Sequence, residues 1–243
     1  METTTILKLC AVEGNLIKLP PVQLDRNDYL TVKKALELIG GKWKSGKTQG
    51  FVFEHDPTDL LSQIAGGEIR NLKKEFQFFE TPDRVADRLV ELANIGDNDT
   101  ILEPSAGRGA IVKAIHRQHP HRIVSGYELM ELNHSFLEKI ENFELLGNNF
   151  LKECNCQFDV IIANPPFAKN QDIDHIKHMF DKLYSGGRLV SIASIHWQIA
   201  SGKKETAFRQ WLDNHGAKIR SIERGTFKES GTMIEGCIVV ITK

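Results

Sequence analysis

From Phe76 to Lys243, apolar runs of strand length alternate with amphipathic stretches of helical period, and few architectures accept that order. Residues 100–103, 122–127, 144–146, 158–163 and 188–194 read as strands. Helical patterns near 83–93, 109–118, 132–141, 172–183 and 205–215 lie between or beside them. Parallel neighbours need a long crossover, which a helix supplies, so the alternation predicts a doubly wound, mostly parallel α/β sheet. The last two candidate strands, 219–224 and 235–242, have only 225–234 between them. That connection is too short for a helical crossover, so the final strand is expected to run antiparallel.

The apolar run 158–163 empties into Asn164-Pro165-Pro166-Phe167. Two consecutive prolines fix their own φ angles and remove two N–H donors, so the carbonyls before them point outward without competition. An Asn amide, a bare carbonyl and an aromatic face at the carboxyl end of a strand can grip the exocyclic amine of a flat heterocycle while its ring stacks on Phe167. Asn-Pro is also a common turn opener, and an aromatic after a turn is often plain packing. The upstream segments decide between these readings.

Glu103-Pro104-Ser105-Ala106-Gly107-Arg108-Gly109 follows the first strand and opens a helix. Its small residues let backbone approach a ligand closely, and the helix start adds positive potential. Glu103 can hydrogen-bond a ligand amine or hydroxyl. Glu128 ends the next strand about 20 residues beyond the glycines, where an acid commonly binds ribose hydroxyls, although a solvated acid at a helix start has the same appearance. Thr81-Pro82 reads as a helix cap followed by a first-turn proline. The preceding Phe76, Phe78 and Phe79 read as core residues of which one could line a pocket.

The N-terminal stretch reads as a small α+β unit with a linker, residues 1–75. Strands at 6–12 and 16–19 flank Glu13-Gly14-Asn15, and Asp25 caps a helix over 26–39 that Gly40-Gly41 ends. A second hairpin, around Trp43 and Phe51, carries Lys44 and Lys47 near its tip, and a short helix covers 57–65. Across the 243 residues the formal net charge is −1, so no global field attracts a polyanion and any nucleic-acid binding must come from local patches. Cys10, Cys154, Cys156 and Cys237 form no disulfide framework, which suits a reducing, cytoplasmic setting, and Cys154-Asn155-Cys156 has no companion pair at metal-ligand spacing. No signal peptide and no membrane-spanning run are expected, and no metal is.

In their order along the chain, Phe79-Glu80-Thr81-Pro82, the Glu103–Gly109 turn, Glu128, Asn164–Phe167 and the segment from Gly225 to Thr232 resemble class I S-adenosylmethionine-dependent methyltransferases. They look most like the N6-adenine DNA methyltransferases, in particular the compact forms of phages and mobile elements. The resemblance covers residues 76–243 and implies a Rossmann-like methyltransferase sheet. It implies that Phe79, Thr81 and the turn residues Glu103, Pro104, Ser105, Ala106, Gly107 and Gly109 surround the methionine moiety of S-adenosylmethionine, and that Glu128 takes its ribose hydroxyls. Asn149, followed by Phe150, stands where the family usually has an Asp on the donor's adenine amine. An amide oxygen still accepts that hydrogen bond, so donor binding is expected to be weakened or retuned. Asn164, Pro165, Pro166 and Phe167 would hold the target adenine, with Phe227 as a second aromatic wall.

The implied function is methyl transfer to the exocyclic amine of adenine in DNA, after base flipping. Family members often carry a recognition domain after the catalytic one, and none follows the last predicted strand, so specificity is expected to be short or relaxed. Contacts to DNA would then fall to loops, to the N-terminal unit or to a partner subunit or second copy. Candidate contacts are His196, Trp197, Lys203 and Lys204 with Arg209, and Lys44 and Lys47 beside Lys42; His175 and His178 read as surface or cap residues. The same turn also occurs in methyltransferases acting on ribosomal RNA bases or a protein glutamine, and a non-catalytic nucleic-acid-binding member would keep the same fold.

Overall fold

The structure is a computed structural model that describes residues 2–53, 56–66, 80–223, 225–227 and 235–243. Phe76, Phe78, Phe79, the expected linker over 68–75 and residues 228–232 of the last motif lie outside the described residues. The chain divides into two compact units, Met1–Glu75 and Phe76–Lys243.

In the first unit, α1 (Thr3–Lys8) precedes β1 (Ala11–Glu13) and β2 (Leu16–Lys18). The strand expected over residues 6–12 is therefore half helix. Ile6 and Leu7 are consecutive and both fully buried, which a strand with one core face cannot achieve and a helix can. α2 (Arg26–Leu38) starts where Asp25 Oδ1 accepts from the amides of Asn27 and Asp28, both at 2.8 Å. β3 (Lys42–Lys44), β4 (Gly50–Val52) and α3 (Thr58–Gly66) complete the unit, with the four strands antiparallel in the order β1-β2-β4-β3. Trp43 lies edge-on to Phe51 with ring centroids 5.1 Å apart, and Lys42, Lys44 and Lys47 are exposed.

The second unit opens with α4 (Asp83–Ala93), β5 (Ile101–Glu103), α5 (Ala110–Gln118) and β6 (Val124–Tyr127). A 3-10 turn leads into the short α6 (His134–Leu137), then β7 (Phe143–Gly147), α7 (Phe150–Glu153) and β8 (Phe158–Ala163). After β8 come α8 (Gln171–Asp181), β9 (Leu183–Ser194), α9 (His196–Ile199), α10 (Lys203–Asn214), β10 (Lys218–Ser221) and β11 (Gly236–Thr242). Seven strands form one sheet in the order β10-β11-β9-β8-β5-β6-β7. The five from β7 to β9 are parallel, and β11 is antiparallel to both β9 and β10, as the short final connection requires.

Alternation along the strands feeds two cores. Val160 and Ile162 join the cluster built with α4 and α5, whereas Ile161 and Ala163 join the one built with α8 and α10. Chain order reverses between β5 and β8, so their carboxyl ends diverge and open a crevice at the switch point. The expected helix over 132–141 is reduced to the 3-10 turn and α6. There Asn133 is drawn inward to Glu128 and His134 Nε2 lies 2.8 Å from the Glu128 carbonyl, side-chain bonds that compete with a regular helix start.

Candidate active site

A cavity of about 380 Å³ occupies the switch point, lined by the segments that leave β5, β6, β7 and β8. Thr81, Glu103 to Arg108, Glu128, Asn149, Phe150, Asn164 to Phe167 and Phe227 all border it. Gly109 is not among the lining residues but is needed by the turn: its φ is +79°, and an added Cβ would sit 2.2 Å from Ile140 Cδ1.

The wall from β5 and β6 is braced by its own carboxylates. Glu128 Oε2 accepts from Gly107 N at 2.7 Å, and Oε1 accepts from Met130 N at 2.8 Å and Asn133 Nδ2 at 3.1 Å. The first of these bonds crosses from the β5 turn to the β6 turn, and the other two hold the segment that follows β6. Glu103 is almost fully buried, and a single bond from Ser105 N at 3.3 Å only partly answers its desolvation. Burial, with a smaller contribution from neighbouring Glu128, holds its carboxyl well above the ordinary carboxylate range.

Arg108 projects from the same turn, lies 4.7 Å from the Phe136 ring centroid and donates from Nε to Asn133 at 3.4 Å. Burial lowers its guanidinium to about 10, opposed by Glu80 and Glu128, so it stays charged at neutral pH. Among the described residues lining the cavity, Arg108 alone carries a permanent positive charge. It stands inside the Glu103–Gly109 turn, where sequence alone does not set its side chain apart from a solvated charge.

In the wall from β8, Asn164 Nδ2 donates to Thr81 Oγ1 at 3.0 Å. Thr81 was expected as a helix cap. The N-cap of α4 is instead Pro82, and the buried threonine hydroxyl orients the Asn164 amide across 83 positions of sequence. Phe167 and the buried Phe227 both pack against the core cluster beneath the sheet. At the far end, Asn149 is the N-cap of α7 and makes no side-chain capping bond, while Phe150 forms a buried floor against Tyr127 and His178. His175 also borders the cavity, and burial lowers its imidazole to about 4, so it is neutral at physiological pH. Both histidines are half-buried, and His178 stands in the last turn of α8.

The proposed nucleic-acid contacts divide. His196 and Lys203 are exposed. Lys204 pairs with Asp174 at 2.6 Å, and Asp174 borders the cavity. Trp197 is corrected: only 3% exposed, it packs against Phe208 at 5.2 Å and is a core residue, because α9 turns its ring onto α10. Among the described residues no group of three or more His, Cys, Asp or Glu could hold a metal ion, and no helix is long and apolar enough to cross a membrane.

This arrangement of sheet and crevice is the Rossmann-like methyltransferase fold. The M protein of the type I restriction enzyme EcoKI superposes with a TM-score of 0.55 at 16% identity, over 81% of this chain and 48% of that one. A Pyrococcus horikoshii protein assigned as an RNA methyltransferase gives 0.51 at 17%, over 86% and 95%. In sequence, a Methanosarcina acetivorans protein assigned as ribosomal RNA small subunit methyltransferase A is 30% identical over 89 residues, 36% of this chain. The match spans about a third of that relative's length, 33%. No protein-family model matches the chain.

Proposed function

We propose that the chain transfers a methyl group from S-adenosylmethionine to the exocyclic amine of adenine in DNA. The observation that carries the reading is the Asn164–Phe167 turn facing the Glu103–Gly109 turn across one cavity at the switch point.

The lining suits the donor. Glu103 and Glu128 are acceptors for an ammonium and for ribose hydroxyls, Arg108 offers a cation to a carboxylate, and Asn149 offers an amide oxygen to an adenine amine. When bound, S-adenosylmethionine supplies an electrophilic methyl on a sulfonium. The chain's own residues do the rest. With its amide nitrogen committed to Thr81, Asn164 turns its side-chain oxygen to accept from the target amine, and the Pro165 carbonyl accepts the second amine proton. Together they localise a lone pair that is otherwise spread into the purine ring. No strong base is needed, because the proton leaves after methyl transfer; positioning and electrostatics supply the rate. Phe167 and Phe227 offer aromatic faces, and stacking on one is worth about 1–3 kcal/mol per base. That offsets much of the few kcal/mol needed to extrude a base from a duplex.

A second reading, a base amine of ribosomal RNA, is favoured by the Methanosarcina relative. The test is incubation of the purified chain with unmethylated duplex DNA, or with ribosomal RNA, and labelled S-adenosylmethionine, followed by nucleoside mass spectrometry. N6-methyladenine in the DNA is expected. Label confined to RNA would overturn the DNA assignment and keep the reaction, whereas label in neither, with the donor bound, would overturn both substrate assignments.

A further inference from the structure

Residues 195–204 form an arch fastened at both ends to the stretch that follows the Asn164–Phe167 turn. At its start, Ser194 N donates to the buried Asp172 Oδ2 at 2.9 Å. At its end, Asn170 Nδ2 donates to Glu205 Oε1 at 2.5 Å, and Lys204 pairs with Asp174. Lys169 and Asn170 have φ of 53° and 58°, left-handed conformations that a non-glycine residue keeps only when its surroundings impose them. Under the arch, buried Trp197 is the anchor, and Arg209 Nη1 donates to the carbonyls of Trp197 and Ala200.

On this braced support the side chain of Ile199 is 83% exposed. A single exposed isoleucine is ordinary on any surface. This one differs in being held: the carbonyls of Trp197 and Ala200 on either side of it accept from Arg209, its β-branched side chain is stiff at χ1, and its segment is tied through Lys204 to Asp174, which borders the cavity. Exposed cationic side chains, Lys169 and Lys203, with His196, accompany it on the same two segments and suit phosphate contacts.

We infer that Ile199 is a wedge that enters a base-paired DNA helix and fills the gap left when the target adenine is extruded into the cavity. The inference rests on the DNA reading above and deepens it by making a duplex the substrate. Apolar wedges between base steps offset part of the unstacking cost, and a stiff prong on a fixed arch does so without first being ordered. An unpaired strand presents its bases already unstacked and needs no wedge.

The test uses random-sequence DNA duplexes, the same strands unpaired, and labelled S-adenosylmethionine, with the parent chain and the variants Ile199→Ala and Ile199→Leu. Ile199→Ala is expected to slow transfer to duplex about tenfold while changing transfer to single strands less than about twofold, since a lost wedge affects the extrusion step alone. Ile199→Leu should restore most of the duplex rate. An unchanged ratio of duplex to single-strand rates in Ile199→Ala would overturn the inference and leave the methyl-transfer reading standing. A parent chain active only on single strands would overturn it likewise. Transfer by the parent to neither form would overturn the inference and the DNA reading together.

Discussion

Set side by side, the two walls of the cavity hold their polar groups in opposite ways. The wall from β5 and β6 is braced internally: Glu128 accepts three hydrogen bonds from the turns that follow the two strands. The wall from β8 has a proline-stiffened backbone, and its decisive side chain, Asn164, donates from its amide to the distant Thr81. A site built this way would bind its donor in a preformed pocket and spend its adjustable contacts on the acceptor. Changes on the β8 wall should therefore act on turnover, and changes on the β5–β6 wall on donor binding.

The sharpest way to break that division is Asn164→Ala. Removing the acceptor that localises the amine lone pair should lower turnover by about a hundredfold or more, the scale seen when one preorganised hydrogen-bonding group is lost from an active site. Donor affinity, followed by calorimetric titration, should change less than about twofold. Equal losses in both would mean that the turn is structural and that the walls are not separable. Arg108→Gln is the converse. Losing a charge-assisted contact of about 1.5–3 kcal/mol should weaken donor binding roughly tenfold or more, with turnover at saturating donor nearly unchanged.

A smaller effect belongs to Glu103. Burial raises its carboxyl in the folded chain, so between the ordinary carboxylate range and that raised value the folded state keeps a proton that the unfolded state has released. Stability of the free protein should accordingly fall as pH climbs through this window. Glu103→Gln removes the titration and should flatten the dependence of Tm on pH there. A positively charged donor favours the ionised form, so in the parent its binding should release a proton and tighten with rising pH. A parent Tm that does not decline across the window would show that the carboxyl is not destabilised by its burial.

How much of this was legible in the sequence depended on how local each determinant is. The switch-point turns were readable because strand, glycine turn and helix follow one another within a few residues; the antiparallel final strand followed from the length of one connection. The bond between Thr81 and Asn164 was not readable, because Thr-Pro before a helix is also an ordinary helix start and nothing local says which way the hydroxyl turns. Trp197 misled for a similar reason: among polar neighbours an aromatic suggests a ligand platform, and only the packing of α9 on α10 reveals a core ring. Arg108 was not distinguishable either, since nothing local to the turn separates a buried guanidinium from a solvated one. In the first unit, the run 6–12 combined a helix and a strand because a break at Leu9-Cys10 carries no glycine or proline to mark it.

The mildest probe of the comparison is Asn149→Asp, because it should improve the β5–β7 side of the cavity without touching the other. Asn149 opens α7 without spending its side chain on the helix, so that side chain is available to a ligand. An amide oxygen and a carboxylate accept the same hydrogen bond from an adenine amine, but the charged acceptor makes it stronger, typically 1.5–3 kcal/mol against about 1 kcal/mol. Part of that gain is lost to desolvating the new charge, and the positive start of α7 returns some of it. The expected result is a donor affinity raised by about threefold to tenfold, with turnover at saturating donor unchanged. Weaker binding in the aspartate variant would mean that the asparagine presents its N–H₂ and not its oxygen, and that this end of the cavity faces a different edge of its ligand.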